Sequence, residues 1–206
     1  WYLVVEDSFP NGRPPLEKAG VILGTRTTAD KADTMKVTAC LNPLHTSLAV
    51  YGMLLGYGRS LNEMEDPQLN ALVRQLGYAE NLPVVVDPEV IDPREFIDKL
   101  VEERLSNPAM PDTPQRISCD TSLKIPIRYG VTLKSYYDRL MDVDDLIAIP
   151  LCVAGWLRYL IAVDDKGKVF KPSSDPRLEE MQEYILGIEL GESDMKKIHE
   201  AVEPIL

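Results

Sequence analysis

Apolar positions are densest just after His45, where Leu48, Ala49, Val50, Met53, Leu54 and Leu55 follow one another closely. That pattern predicts a helix driven into a core, with a polar cluster at its N-terminal end. A second long apolar run, Leu146 to Val163, contains Pro150 and Arg158, so it predicts a buried core helix rather than a membrane span. Near the start, Tyr2, Leu3, Val4 and Val5 favour a strand. Asn11-Gly12 and Pro14-Pro15 then favour turns and irregular chain.

From Asp30 onward the helix starts are marked by a capping residue followed by proline: Asn42-Pro43, Asp66-Pro67, Asp92-Pro93, Thr113-Pro114 and Asp175-Pro176. Asp92 with Glu95 has capping-box spacing. Helices are expected near 30–41, 43–57, 67–76, 93–105, 114–119, 132–141, 144–162, 176–186 and 194–202, with Gly77 and Asn107-Pro108 ending two of them. Val84 to Val86 reads as a short extended piece. Val163 to Phe170, with Asp165-Lys166-Gly167 at its centre, reads as a small hairpin. The fold class is mostly α: an extended arm over residues 1–29, then a helical domain over 30–206.

Composition narrows the classes of function. The net charge of −11 argues against a nucleic-acid partner, which needs a basic face. Three scattered cysteines, Cys40, Cys119 and Cys152, fit a reduced, cytoplasmic protein. No signal peptide is legible, and the chain opens on Trp1, which suggests a piece of a longer polypeptide. No C-x-x-C or H-E-x-x-H spacing favours a metal. No G-x-S-x-G elbow favours a serine nucleophile, and no G-x-G-x-x-G turn favours a dinucleotide.

Three polar constellations carry the candidate chemistry. Lys36, Asn42 and His45 lie at the head of the central apolar helix. On one unbroken helix Lys36 and His45 would face opposite ways, but Pro43 forces a break that lets them converge. Arg116, Lys124 and Arg128 form a cationic cluster in an acidic chain, suited to a carboxylate or a developing alkoxide. Glu6 and Asp7 could bond the hydroxyls of a sugar-like ligand. On residue types alone plainer readings also stand: Asn42 as a helix cap, His45 as a core histidine, and the cations paired with Asp112 and Asp120.

Three blocks of sequence shift that balance. WYLVVEDSFPNGRPPLEKAGV, MKVTACLNPLHTSLAVYGMLLGY and SNPAMPDTPQRISCDTSLKIPIR, in this order, resemble the C-terminal domain of the mannitol dehydrogenase family of polyol-specific long-chain dehydrogenases. The resemblance implies a helical substrate-binding domain that follows an N-terminal nucleotide-binding domain holding NAD or NADP. It implies Lys36 as a metal-independent acid/base, with Asn42 and His45 holding the substrate oxygen. It implies Asp7, Arg116 and Lys124 as substrate contacts, and Arg128 is a further candidate for a substrate carboxylate. The family pattern has four residues between lysine and asparagine, whereas Val37 to Leu41 are five. A one-residue bulge before Asn42 restores the geometry.

The wording LNPLHTSLAVYGMLLGY is nearer the fructuronate reductase (mannonate oxidoreductase) branch than mannitol 2-dehydrogenase or tagaturonate reductase. The expected reaction therefore interconverts a keto-sugar acid and its aldonate, rather than a sugar alcohol and its ketose. Two readings of other kinds remain, a helical interaction or oligomerisation module and a metal-dependent sugar isomerase.

Overall fold

The computed structural model describes residues 3–206. Trp1 and Tyr2, which open the predicted strand and the first block, lie outside the described residues. In chain order, β1 (Val4–Glu6) leads through a 3₁₀ turn at Leu16–Ala19 to β2 (Ile22–Gly24). Helices α1 (Arg26–Met35), α2 (Asn42–Leu55), α3 (Ser60–Glu65), α4 (Pro67–Arg74) and α5 (Pro93–Lys99) follow. Then come α6 (Pro114–Ile117), α7 (Thr121–Ile125), α8 (Val131–Asp138), α9 (Ala148–Leu160), α10 (Leu178–Tyr184) and α11 (Met195–Val202). The fold is mostly α, as the sequence predicts. Among the described residues its β structure is the parallel pair β1–β2, with Val4 opposite Ile22, and one antiparallel bridge, Val163 to Val169, at the expected hairpin.

Helix α2 is the axis of the core. Leu44, Leu48, Ala49 and Val50 are almost wholly buried, and the helix packs against α3, α4, α6 and α9. Two glycines make this possible for different reasons. Gly52 lets Glu63 and Pro114 approach its backbone, and Gly56 ends the helix in the left-handed conformation, at φ 77°. Trp156, Tyr159, Tyr129, Met35 and Ile149 fill the space around α2.

Cap chemistry explains most helix starts. Asp66 accepts from the backbone N–H groups of Gln68 and Leu69, Asp92 from Glu95, and Thr113 from Arg116. Asp175 departs from expectation. Its carboxylate reaches across the fold to the backbone and hydroxyl of Ser122 and to the hydroxyl of Thr121, at the start of α7. Helix α10 therefore begins later, at Leu178. Helix α1 begins earlier than expected because Thr25 caps it through Thr28. Helix α3 was not anticipated. Val84 to Val86 forms no strand, since a 3₁₀ turn at Leu82–Val84 occupies part of it.

Among the described residues four helices widen into π turns: Lys36–Cys40 after α1, Gln75–Asn81 after α4, Leu100–Arg104 after α5 and Pro126–Gly130 after α7. Gly77 thus does not end its helix as expected. It is buried against Leu44 and Ile97, where a Cβ would meet Leu44 Cδ2 at 3.2 Å. Among the described residues no helix is long and apolar enough to cross a membrane.

Candidate active site

The junction between α1 and α2 is shaped by a missing donor. In a regular helix the carbonyl of Ala39 would accept from the N–H of residue 43, but that residue is proline and has none. The chain widens to a π turn over Lys36–Cys40, and the Leu41 N–H reaches back to the Lys36 carbonyl at 3.1 Å. The orphaned Ala39 carbonyl is met instead by the buried side-chain amide of Asn81, which donates at 2.9 Å. The five residues between Lys36 and Asn42 are accommodated by this one-residue widening. Such π insertions recur at functional sites.

Helix α2 then starts at Asn42 with no side-chain cap. The plain reading of Asn42 as a cap is therefore not what the structure shows. Its carboxamide is not spent on the helix, and its backbone carbonyl accepts from the Thr46 hydroxyl at 2.9 Å.

One turn further on, His45 is 7% exposed. Its Nε2 is buried without a hydrogen-bond partner and lies 3.7 Å from Asp112 Oδ2. Asp112 is itself buried, and its Oδ1 receives Arg116 Nη2. Arg128 Nη1 donates to the hydroxyl of Thr46, the neighbour of His45. Burial pushes the His45 imidazole down to about 4. Asp112 pulls it upward, while Arg104, Arg128 and Arg116 press it further down. His45 is thus a neutral imidazole near pH 7.

The π turn Lys36–Cys40 packs against the π turn Pro126–Gly130, which carries Arg128. Tyr129 donates to the Pro43 carbonyl of α2 at 3.0 Å, and Thr132 of α8 to the Thr38 carbonyl at 3.3 Å, which ties the α1–α2 junction to the chain around Arg128. Lys124, one turn before Arg128, is half-buried and donates to the Ile117 carbonyl at 3.1 Å. Burial, and Arg128 after it, hold the Lys124 ammonium below its ordinary value. Burial likewise lowers Arg128.

A cavity of about 480 Å³ opens at this junction, lined by Lys36, Leu41, Phe96, Leu100, Arg104, Asn107 and Met110 among others. Lys36 is the predicted site residue on its wall. His45, Arg116 and Arg128 gather about Asp112 and Thr46, and Arg104 belongs to both groups, as a cavity wall and as a charge acting on His45. Asp7 stands apart in the N-terminal arm, where its carboxylate is taken by Arg13 Nε at 2.7 Å and Nη2 at 3.1 Å. That ion pair holds the Asp7 carboxyl below the usual range.

Asp112 is the residue that sequence reasoning undervalued. It figured there, with Asp120, only as a partner for the cations, though its spacing four residues before Arg116 was legible. Arg104, Thr46 and Asn81 were missed altogether, because nothing local marks them. Of the residues singled out in the sequence, Lys36 lines the cavity, while His45, Arg116 and Arg128 gather about Asp112 and Thr46 beside it. The described residues hold no glycine-rich turn between parallel strand and helix. The parallel pair β1–β2 is joined by irregular chain and a 3₁₀ turn.

Comparison with known proteins points one way. The family model described as the mannitol dehydrogenase C-terminal domain matches residues 30–203. D-mannonate oxidoreductase of Thermotoga maritima is 51% identical over 208 residues, an alignment that takes in 100% of this chain and 38% of that protein. Mannitol dehydrogenase 2 of Saccharomyces cerevisiae is 37% identical over 82% of this chain and 32% of its own length. Among solved structures, Pseudomonas fluorescens mannitol 2-dehydrogenase, in a ternary complex with NAD and D-mannitol, aligns with a TM-score of 0.75 at 32% identity. That alignment covers 89% of this chain and 36% of the other. The chain therefore spans well under half the length of the relatives it matches.

Proposed function

The chain belongs to the mannitol dehydrogenase C-terminal domain family, and from that premise we propose that it is the substrate-binding and catalytic portion of an NAD- or NADP-dependent cytoplasmic oxidoreductase. The reaction interconverts a keto-sugar acid of the fructuronate type and its aldonate, mannonate. The segment ahead of α1 links this helical domain to an N-terminal nucleotide-binding domain of the same polypeptide. That other domain holds the dinucleotide, which supplies the redox chemistry.

The observation that carries the reading is the position of Lys36, on a π turn at the wall of the cavity beside the head of α2. In this reading Lys36 gives a proton to the substrate oxygen during reduction and removes it during oxidation. Asn42 donates an amide N–H to the same oxygen as negative charge develops there. His45, neutral and buried, holds a neighbouring hydroxyl. Arg116, Lys124 and Arg128 supply positive charge for the acid group of the substrate. The 51% identity to a mannonate oxidoreductase supports a sugar acid over a sugar alcohol. The relative bound to D-mannitol supports the second reading, mannitol oxidation.

The test is an assay of the full-length enzyme with fructuronate, tagaturonate, fructose and mannitol. The expected result is a kcat/KM for a uronate above that for fructose and mannitol; the reverse order overturns the substrate assignment. Lys36→Met should lower kcat by roughly a hundredfold or more, the scale of a lost general acid–base group, without changing the thermal midpoint. A variant with unchanged kcat would exclude Lys36 as the proton donor. The isolated chain should show no saturable NADH fluorescence change in the micromolar range, and such a change would refute the division of labour between domains.

A further inference from the structure

We infer that Asp112 is a positioning residue that sets His45 and Arg116 in register with each other, one carboxylate oxygen for each. The inference rests on the reading above, in which both of those side chains touch substrate.

Three observations support it. First, the carboxylate is divided between two clients: Oδ1 receives Arg116 Nη2, and Oδ2 lies 3.7 Å from His45 Nε2. That nitrogen is buried with no partner at hydrogen-bond distance. A buried imidazole nitrogen without a partner is costly, and closing 3.7 Å to a hydrogen bond of about 2.9 Å needs a ring movement under 1 Å. Catalytic hydrogen bonds are often this long before substrate arrives and shorten when it binds.

Second, Asp112 is held from behind. Its backbone carbonyl accepts from the Ser60 N–H at 3.2 Å, at the start of α3. Its successor Thr113 caps α6, and Pro114 packs against the Gly52 backbone of α2. The backbone that carries the carboxylate is thus held on both sides.

Third, the two clients differ in freedom. His45 is buried within α2, whereas the Arg116 side chain is 60% exposed and would otherwise sample many rotamers. Anchoring one edge of the guanidinium leaves its other N–H groups directed by the anchor towards a ligand. On His45 the carboxylate selects the tautomer with the proton on Nε2. Nδ1 is then the acceptor for a substrate hydroxyl. Asp112 reaches the substrate only through these two residues. The charged groups facing His45 are Asp112 itself, Arg104, Arg116 and Arg128.

The experiment uses the full-length protein and needs no variant at residue 112 to begin. Nitrogen-15 NMR of the imidazoles, with His45 assigned by the loss of its signals in His45→Gln, should show the proton on Nε2. A dominant Nδ1–H form overturns the inference. Asp112→Asn should then populate the Nδ1–H tautomer, lower kcat with a uronate by about 10- to 100-fold and raise KM several-fold, the scale seen when a supporting residue is lost. A folded Asp112→Asn protein with kcat and KM within twofold of wild type, and the tautomer unchanged, also overturns it. If the wild-type enzyme turns over none of the four substrates, the functional reading fails instead, and the tautomer alone decides the role of Asp112.

Discussion

Gly52 and Glu63 fit together because one of them lacks a side chain: a Cβ on Gly52 would lie 1.7 Å from Glu63 Oε1. Helices α2 and α3 meet at this point, with Pro114 of α6 2.8 Å from the same imaginary atom. Gly52→Ala should therefore destabilise the domain by about 3 kcal/mol, the overpacking range, since Glu63 and a proline ring would both have to move. Urea unfolding monitored by tryptophan fluorescence measures this. A loss below about 0.5 kcal/mol would mean that the contact is looser than described.

Glu63 is fully buried, and Ser60 only partly offsets the cost of charging it there. Burial pushes its carboxyl up to about 8, from an ordinary 4.5. The native state thus keeps a proton that the unfolded state has lost between those values. Stability from this group is complete below about 4.5 and declines as pH rises towards 8. Glu63→Gln should remove the decline, so the variant gains stability relative to wild type as pH rises from 6.5 to 8.5. His45 acts with the opposite sign and lower down. Its folded value near 4 sits below the ordinary 6.5, so its contribution is lost as pH falls through that window. Unfolding midpoints for both proteins at pH 6.5 and 8.5 isolate Glu63, and parallel pH dependence would contradict the assignment.

Glu80 caps α9 from another part of the chain. Its Oε1 accepts from the N–H groups of Ile147 at 2.9 Å and Ala148 at 2.6 Å, and its Oε2 from Ile149 at 2.8 Å. Removing it leaves buried donors unpaired at the positive end of a helix. Glu80→Ala should cost roughly 3 kcal/mol, within the range for breaking a buried hydrogen-bonded charge. Glu80→Gln, which keeps acceptor capacity, should cost less. Equal losses in the two variants, read from denaturation midpoints, would mean that side-chain volume rather than hydrogen bonding matters there.

Arg128 offers a test of substrate class. It is half-buried between the π turn it belongs to and the Thr46 hydroxyl on α2. If it reads a carboxylate, Arg128→Met should reduce kcat/KM for a uronate at least tenfold more than for fructose, because a charged hydrogen bond is lost with the acid substrate alone. Equal losses with both substrates would assign Arg128 to holding α2 in place.

Much of this molecule could be read without coordinates. Local chemistry decides a helix start, so Asp66, Asp92 and Thr113, each followed by proline, announced α4, α5 and α6, with their side chains on the first free N–H groups. Set against the family spacing, the one extra residue between Lys36 and Asn42 implied a bulge, and a π turn stands there. What sequence could not supply is the partner that makes such a bulge tolerable. Asn81, far along the chain, meets the Ala39 carbonyl, and Glu80 beside it caps a helix that begins more than sixty residues later. Asp175 carries the signature of a cap, and besides the Arg177 N–H just ahead of α10 its carboxylate serves the start of α7, far back in the chain.

The candidate site divides in the same way. Residue types and spacing singled out Lys36, Asn42, His45 and the cations. Only packing gave Asp112 its two clients and separated Asp7, held by Arg13, from the cluster around His45. The physical reason is range: caps, proline breaks and turns are settled within a few residues by backbone sterics and local hydrogen bonds. The burial of a carboxylate, and the choice of which buried polar group answers it, depend on segments that meet only once the core has closed.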